Sequence, residues 1–175
     1  SYRSTAEITD FAKALLPDGE QIVSFTRHGE KPRLLVRYDE ASFNQALVET
    51  IIQQRADYET VAVLTKNREQ AQVIYRFLHQ RQLGDSHLLT ARDSDLPAGI
   101  LVLPVYLAKG LEFDAVIAAD VSTANLQNVD AVGMVYTMAT RAMHHLTLLS
   151  KGAVTRAINS AASQQLVIEH EFTDK

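Results

Sequence analysis

At 175 residues, 46% of them hydrophobic, the chain has the size of one domain with a sizeable core. A net charge of −4 excludes an autonomous nucleic-acid binder, whose affinity comes mainly from neutralising phosphates. The absence of cysteine excludes disulfides and thiolate metal sites, and no apolar run approaches the ~20 residues that span a bilayer. With no signal-peptide pattern, these features lead us to expect a cytoplasmic protein with no membrane partner and no metal site of its own.

In chain order, Ser4 and Glu7 have capping-box spacing, and Ile8, Phe11 and Leu15 mark one face of a first helix that Pro17 and Gly19 end. Residues 21–32 are polar and turn-rich, with one short strand expected at 22–25. Residues 33–38 read as a strand. Ser42 and Gln45 offer a second capping box, and Phe43, Leu47 and Ile51 carry a helix to about Arg55. Residues 61–65 are a buried strand. Asn67 and Gln70 cap the next helix, whose apolar face is Ala71, Ile74 and Leu78 and which closes at Gly84. Strand and helix alternating at this pitch predict βαβ units and a parallel sheet.

A short strand is expected at 87–90 and a loop at 91–99. Two aliphatic, unalternating runs follow, 100–105 and 115–119, as suits strands buried on both faces. Between them lies a polar hinge containing Lys109, Gly110 and Glu112. Ligands in open parallel sheets bind beyond the strand ends, so this turn is expected there, with Gly110 admitting close backbone approach. Residues 122–130 read as a surface loop, 132–143 as a helix, 146–149 as a strand, 151–163 as a weaker helix, 166–169 as an edge strand and 171–175 as a tail.

Three separated segments resemble one family in the right order. Tyr2-Arg3-Ser4-Thr5 resembles the Tyr-Arg-Ser motif opening the second motor domain of UvrD/Rep-type superfamily 1 helicases. Ala108-Lys109-Gly110-Leu111-Glu112-Phe113-Asp114 resembles their Lys-Gly-Leu-Glu-Phe motif. Tyr136-Thr137-Met138-Ala139-Thr140-Arg141-Ala142 resembles their Tyr-x-x-x-Thr-Arg-Ala motif. The wording around Val105-Tyr106-Leu107-Ala108 is most similar to the HelD-type branch, which includes ATPases that work on RNA polymerase.

The resemblance implies an α/β, RecA-like fold, with a mainly parallel sheet and helices on both faces. It implies that residues 1–175 form a single second motor domain of a larger ATPase, inactive in isolation. It implies ATP with Mg²⁺ as cofactor, the metal being held by a separate N-terminal motor domain. Arg141 and Arg3 are implied at the γ-phosphate, where a guanidinium fork stabilises transferred charge, with Arg141 as arginine finger. Tyr2 is implied on the adenine, Gly110 and Lys109 beside the nucleotide, and Glu112 on a ribose hydroxyl. Thr65 and Tyr106 are implied in nucleic-acid contact or coupling, and Tyr136 either orients Arg141 or packs as a core tyrosine. The implied partners are the N-terminal motor domain, single-stranded DNA and, on the HelD-type reading, RNA polymerase.

The chain departs from the pattern in two ways. It has no Gly-x-x-x-x-Gly-Lys-Ser/Thr phosphate cradle, so the nucleotide must be gripped elsewhere. Pro104, Tyr106 and Leu107 replace the polar Thr-x-His-Ser that usually precedes the Lys-Gly-Leu-Glu-Phe motif. That substitution weakens the case for strand unwinding and leaves ATP chemistry less affected. The rival readings are a protein-binding module and a self-contained α/β enzyme. The lack of a nucleophile–base constellation argues against the latter.

Overall fold

A computed structural model describes residues 4–17, 27–91 and 95–171, with the side chains of residues 170 and 171 left aside. The described residues form five helices and seven strands: α1 (Ala6–Ala14), β1 (Arg33–Arg37), α2 (Glu40–Asp57), β2 (Thr60–Thr65), α3 (Arg68–Gln80), β3 (Ser86–Leu88), β4 (Gly99–Pro104), a 3-10 turn (Val105–Ala108), β5 (Phe113–Ala119), α4 (Ala131–Thr140), β6 (Ala142–Lys151), α5 (Arg156–Ser163) and β7 (Ile168–Glu171). The strands form one sheet in the order β3-β4-β2-β5-β6-β1-β7, and every pairing is parallel.

Strand alternation divides the core between the two faces of the sheet. Leu64, Leu103, Val116 and Leu148 point to one side, where α1, α4 and α5 contribute Phe11, Met138 and Ile158. Val63, Val102, Ile117 and Leu149 point to the other, against Leu47 and Ile51 of α2 and Leu78 of α3. Each fully buried large aliphatic contributes about 1.5–3 kcal/mol. β4 and nearly all of β5 are buried, so the two aliphatic runs are the centre of the sheet, as their composition predicts. Helices cover both faces, as expected.

Local boundaries shift where tertiary contacts outweigh local signals. Thr5 and Asp39 cap α1 and α2, in place of Ser4 and Ser42. Ser42 is itself the donor, its backbone N–H bonding Asp39 Oδ1 at 2.8 Å. Asn67 does cap α3, accepting from the Gln70 N–H at 2.9 Å. The helix expected to reach Met143 ends at Thr140, and the following strand starts at Ala142 and runs ten residues. Pairing of Phe113 with Ala142 claims residues that local pattern assigned to the hinge and to the helix. Residues 151–155, expected as helix, finish β6 and bridge Val154 to Ser122. The last strand extends to Glu171, into the expected tail. The short strand expected at 22–25 lies outside the described residues.

Candidate functional site

Arg141 stands where α4 gives way to β6. Asp130 caps α4 by accepting from the Gly133 N–H at 3.0 Å, and Val135, Met138 and Ala139 fix the helix on the core. Arg141 keeps right-handed helical backbone (φ −83, ψ −12), after which the chain straightens into β6. Its carbonyl accepts from the Phe113 N–H at 2.9 Å, so the Arg141 backbone is stitched to the first residue of β5. One residue on, the Ala142 carbonyl accepts from the buried Ser4 hydroxyl at 2.6 Å. Two long contacts hold the guanidinium, Nη1 to the Leu111 carbonyl at 3.3 Å and Nη2 to Thr140 Oγ1 at 3.2 Å. Arg141 Nε is buried without a hydrogen-bond partner among the described residues. Ser4, Leu111 and Arg141, one from each of the three motif segments, therefore meet at one place.

That place is the N-terminal edge of the sheet, which corrects the expectation that the Lys109–Glu112 turn lies beyond the strand ends. β4 and β5 are parallel with β2 between them, so the connection must travel back along the strands. The 3-10 turn makes that crossing, with Val105 and Ala108 buried on the α4 face, and delivers Leu111 and Glu112 to the start of β5. Gly110 adopts φ +79, a backbone region that favours glycine, and space around its Cα is open. Lys109 and Gly110 are exposed and Glu112 is half-buried. Tyr2 and Arg3 lie outside the described residues.

The other expected residues do not join this cluster. Tyr136 is half-buried on α4 and lines a small gap with Ser4, Ile8 and Thr140, where it packs against α1. Thr65 and Tyr106 lie at the opposite, C-terminal edge. Thr65 is fully buried and its hydroxyl donates to the Asn67 carbonyl at 2.7 Å. Tyr106 is 53% exposed on the 3-10 turn, beside a cleft of about 470 Å³ that Arg68, Gln72 and Pro104 also line.

Sequence reasoning missed two polar assemblies. At the C-terminal edge, Asp120 accepts from the Ser122 N–H and hydroxyl at 2.9 and 3.0 Å and from the Lys151 N–H at 2.8 Å. Lys66 and Gln70 hold Asn125 at 2.9 and 2.6 Å. At the N-terminal edge, a cavity of about 540 Å³ adjoins the first residues of β6. There Arg27 donates to the Met143 carbonyl at 2.8 Å, His144 stacks on Tyr58, and buried His145 meets Glu30 at 3.0 Å. Burial lowers the His145 pKa below its ordinary 6.5, only partly offset by Glu30. Glu7 also lies below its ordinary value. Burial raises it, but the Gly29 N–H and His28 bonds outweigh that. The adjacent histidines occupy structural settings, His144 against the Tyr58 ring and His145 against Glu30. Their partners come from loops distant in sequence, so no local signal marked them.

This architecture, an all-parallel sheet covered on both faces with a motif cluster at one edge, defines a RecA-like α/β domain. It is similar to the C-terminal domain of the DEAD-box protein Dbp5 at a TM-score of 0.54 and 15% identity, covering 81% of this chain and 89% of that one. It is similar throughout to the C-terminal domain of a possible DNA helicase from Lactobacillus plantarum WCFS1. That match has a TM-score of 0.81 and 30% identity, and covers 97% of this chain and 98% of the other. The UvrD-like helicase C-terminal domain family matches residues 99–149, which include the Lys109–Glu112 turn and Arg141. No curated protein matches the chain. The chain belongs to the UvrD-like helicase C-terminal domain family.

Proposed function

We propose that this chain, residues 1–175, is the second motor domain of an ATP-dependent superfamily 1 helicase or translocase, and that it completes an ATP site whose phosphate grip lies on an N-terminal motor domain. The observation that carries the reading is the convergence at the N-terminal edge. Ser4 bonds Ala142, the Arg141 carbonyl accepts from Phe113, and the Arg141 guanidinium rests on Leu111. Segments 138 residues apart in sequence are thereby held as one surface.

In this reading Arg141 is the arginine finger. Its guanidinium lies on two long contacts to neutral acceptors, which an incoming phosphate group outcompetes because an anionic acceptor adds charge pairing and a bidentate fit to the guanidinium fork. Arg3 and Tyr2 come from the same segment as Ser4 and act on phosphate and adenine. Gly110 and Lys109 lie against the nucleotide and Glu112 takes a ribose hydroxyl. Mg²⁺ stays on the other domain. Closing over ATP and reopening after hydrolysis would move the two domains along a track, and the isolated chain has no turnover. The place for single-stranded DNA in this reading is the opposite edge, where exposed Tyr106 offers a stacking face beside Arg68.

The apolar Pro104-Val105-Tyr106-Leu107 turn favours a second reading. It is that of a HelD-like ATPase in which the same edge engages RNA polymerase. The test places Arg141→Ala in the protein that carries the N-terminal motor domain and measures ATP turnover with single-stranded DNA and with RNA polymerase. Loss of about 10³–10⁵ in turnover with ATP binding retained supports the finger. Retained turnover refutes it. The partner that stimulates the parent protein identifies the track.

A further inference from the structure

A second cleft opens at the C-terminal edge, on the sheet face opposite α4, and the motor reading makes no use of it. It has a volume of about 430 Å³ and lies between the first turns of α2 and α3, over the ends of β5 and β6. Its location follows from topology. The chain leaves β1 and β2 toward one face of the sheet and leaves β5 and β6 toward the other, so adjacent strand ends diverge and leave a crevice.

Phe43, Ile74 and Ala119 line its floor, and Val73, 57% exposed, lines its wall. Tyr38, 65% exposed, lies at the end of β1 two residues before Glu40. Glu40, Glu69 and Asp120 place three carboxylates on the lining, against the single ammonium of Lys151 above the Phe43 ring at 5.3 Å. Asp120 cannot turn away, because three donors hold it.

We propose that this cleft docks a segment of a protein partner in which an aliphatic or aromatic side chain is flanked by Lys or Arg. The apolar floor takes the anchor, and the three-to-one excess of carboxylates selects cationic neighbours. The same excess repels a phosphate backbone, so nucleic acid is not the occupant. The cleft volume falls in the ~300–1,000 Å³ range of well-formed ligand sites. Arg141 is at the other end of the strands, so docking here leaves the motif cluster uncovered. The proposal holds whether or not Arg141 acts as a finger.

The test screens the full chain against arrayed decapeptides of defined sequence, graded in net charge and apolar content. The best binders are then measured by fluorescence anisotropy. Retained peptides are expected to combine an apolar anchor with Lys or Arg. Val73→Asp, and separately Glu40→Gln with Glu69→Gln, are expected to weaken them at least tenfold, about 1.4 kcal/mol. These side chains are exposed, so an unchanged circular-dichroism melt shows that folding is intact. Leu96→Ala, at an exposed side chain in the loop before β4, leaves the affinity unchanged. An array with no binders, a preference for acidic peptides, or variants that bind as before overturns the proposal. So does equal competition by spermidine or by a short single-stranded oligonucleotide.

Discussion

Replacing Arg141 by alanine should separate stability from catalysis. The guanidinium makes two long hydrogen bonds to neutral acceptors, at 3.3 and 3.2 Å, whose length holds each near the low end of the charged-group range, about 1.5 kcal/mol. It also buries Nε without a partner among the described residues, which costs about 1–3 kcal/mol. The gain of about 3 kcal/mol and the penalty of about 1–3 kcal/mol largely cancel, so Arg141→Ala is expected to change folding free energy by no more than about 2 kcal/mol. Phe113→Ala, at a residue 1% exposed and 28 positions earlier, should cost about 3–5 kcal/mol through the cavity it leaves. Urea unfolding of the isolated chain measures both. In the protein with its N-terminal motor domain, Arg141→Ala should lose about 10³–10⁵ in turnover, or about 4–7 kcal/mol of barrier. Arg141→Lys, which keeps charge but not the planar fork, should rescue little of it. If Arg141→Ala destabilises the chain as much as Phe113→Ala, Arg141 is a structural arginine and the reasoning fails. Full turnover in the variant is equally damaging.

Two glycines with positive φ should respond differently to alanine. At Gly110 (φ +79) a Cβ meets open space, so the cost is backbone strain alone, about 1–2 kcal/mol. At Gly99 (φ +116) the Cβ would approach the Asp85 carbonyl oxygen to 2.5 Å, so the loss in urea unfolding should be clearly larger than at Gly110. His145 should make stability depend on pH. Its folded pKa is depressed below 6.5, so the unfolded chain binds more protons in that window. The contribution is present above pH 6.5 and is lost as pH falls through the folded value. Urea midpoints measured between pH 7.5 and 5 should therefore fall with acidification, and His145→Gln should flatten the slope. An unchanged slope would mean that another group governs it. Ser4→Ala removes the buried bond to the Ala142 carbonyl and should cost about 1–3 kcal/mol in the same assay.

How much of the fold and the site was legible follows from which interactions are local. The residues of the candidate site could be picked out because each lies in a short motif: Lys109, Gly110 and Glu112 in one, Arg141 in another. Their meeting place could not, because it depends on how far the chain travels between strands. Thr65 and Tyr106 share with them only a resemblance, and the fold sets those two residues at the far edge. The Glu30–His145 and Gln70–Asn125 contacts join residues 115 and 55 positions apart, which no periodicity records.

Composition and pattern alone determined the parallel character of the sheet, the buried runs of β4 and β5, the apolar face of α3 and its Asn67 cap. Each of these depends on side chains within about ten residues of one another, or on desolvation of a continuous aliphatic run. Tertiary structure alone decided the strand order, the start of β6 at Ala142, the transfer of helix capping to Thr5 and Asp39, and the placing of the Arg141 cluster at the N-terminal edge. Those features come from pairing between strands remote in sequence, and the hydrogen bonds won there outweigh the weaker preferences of any single segment.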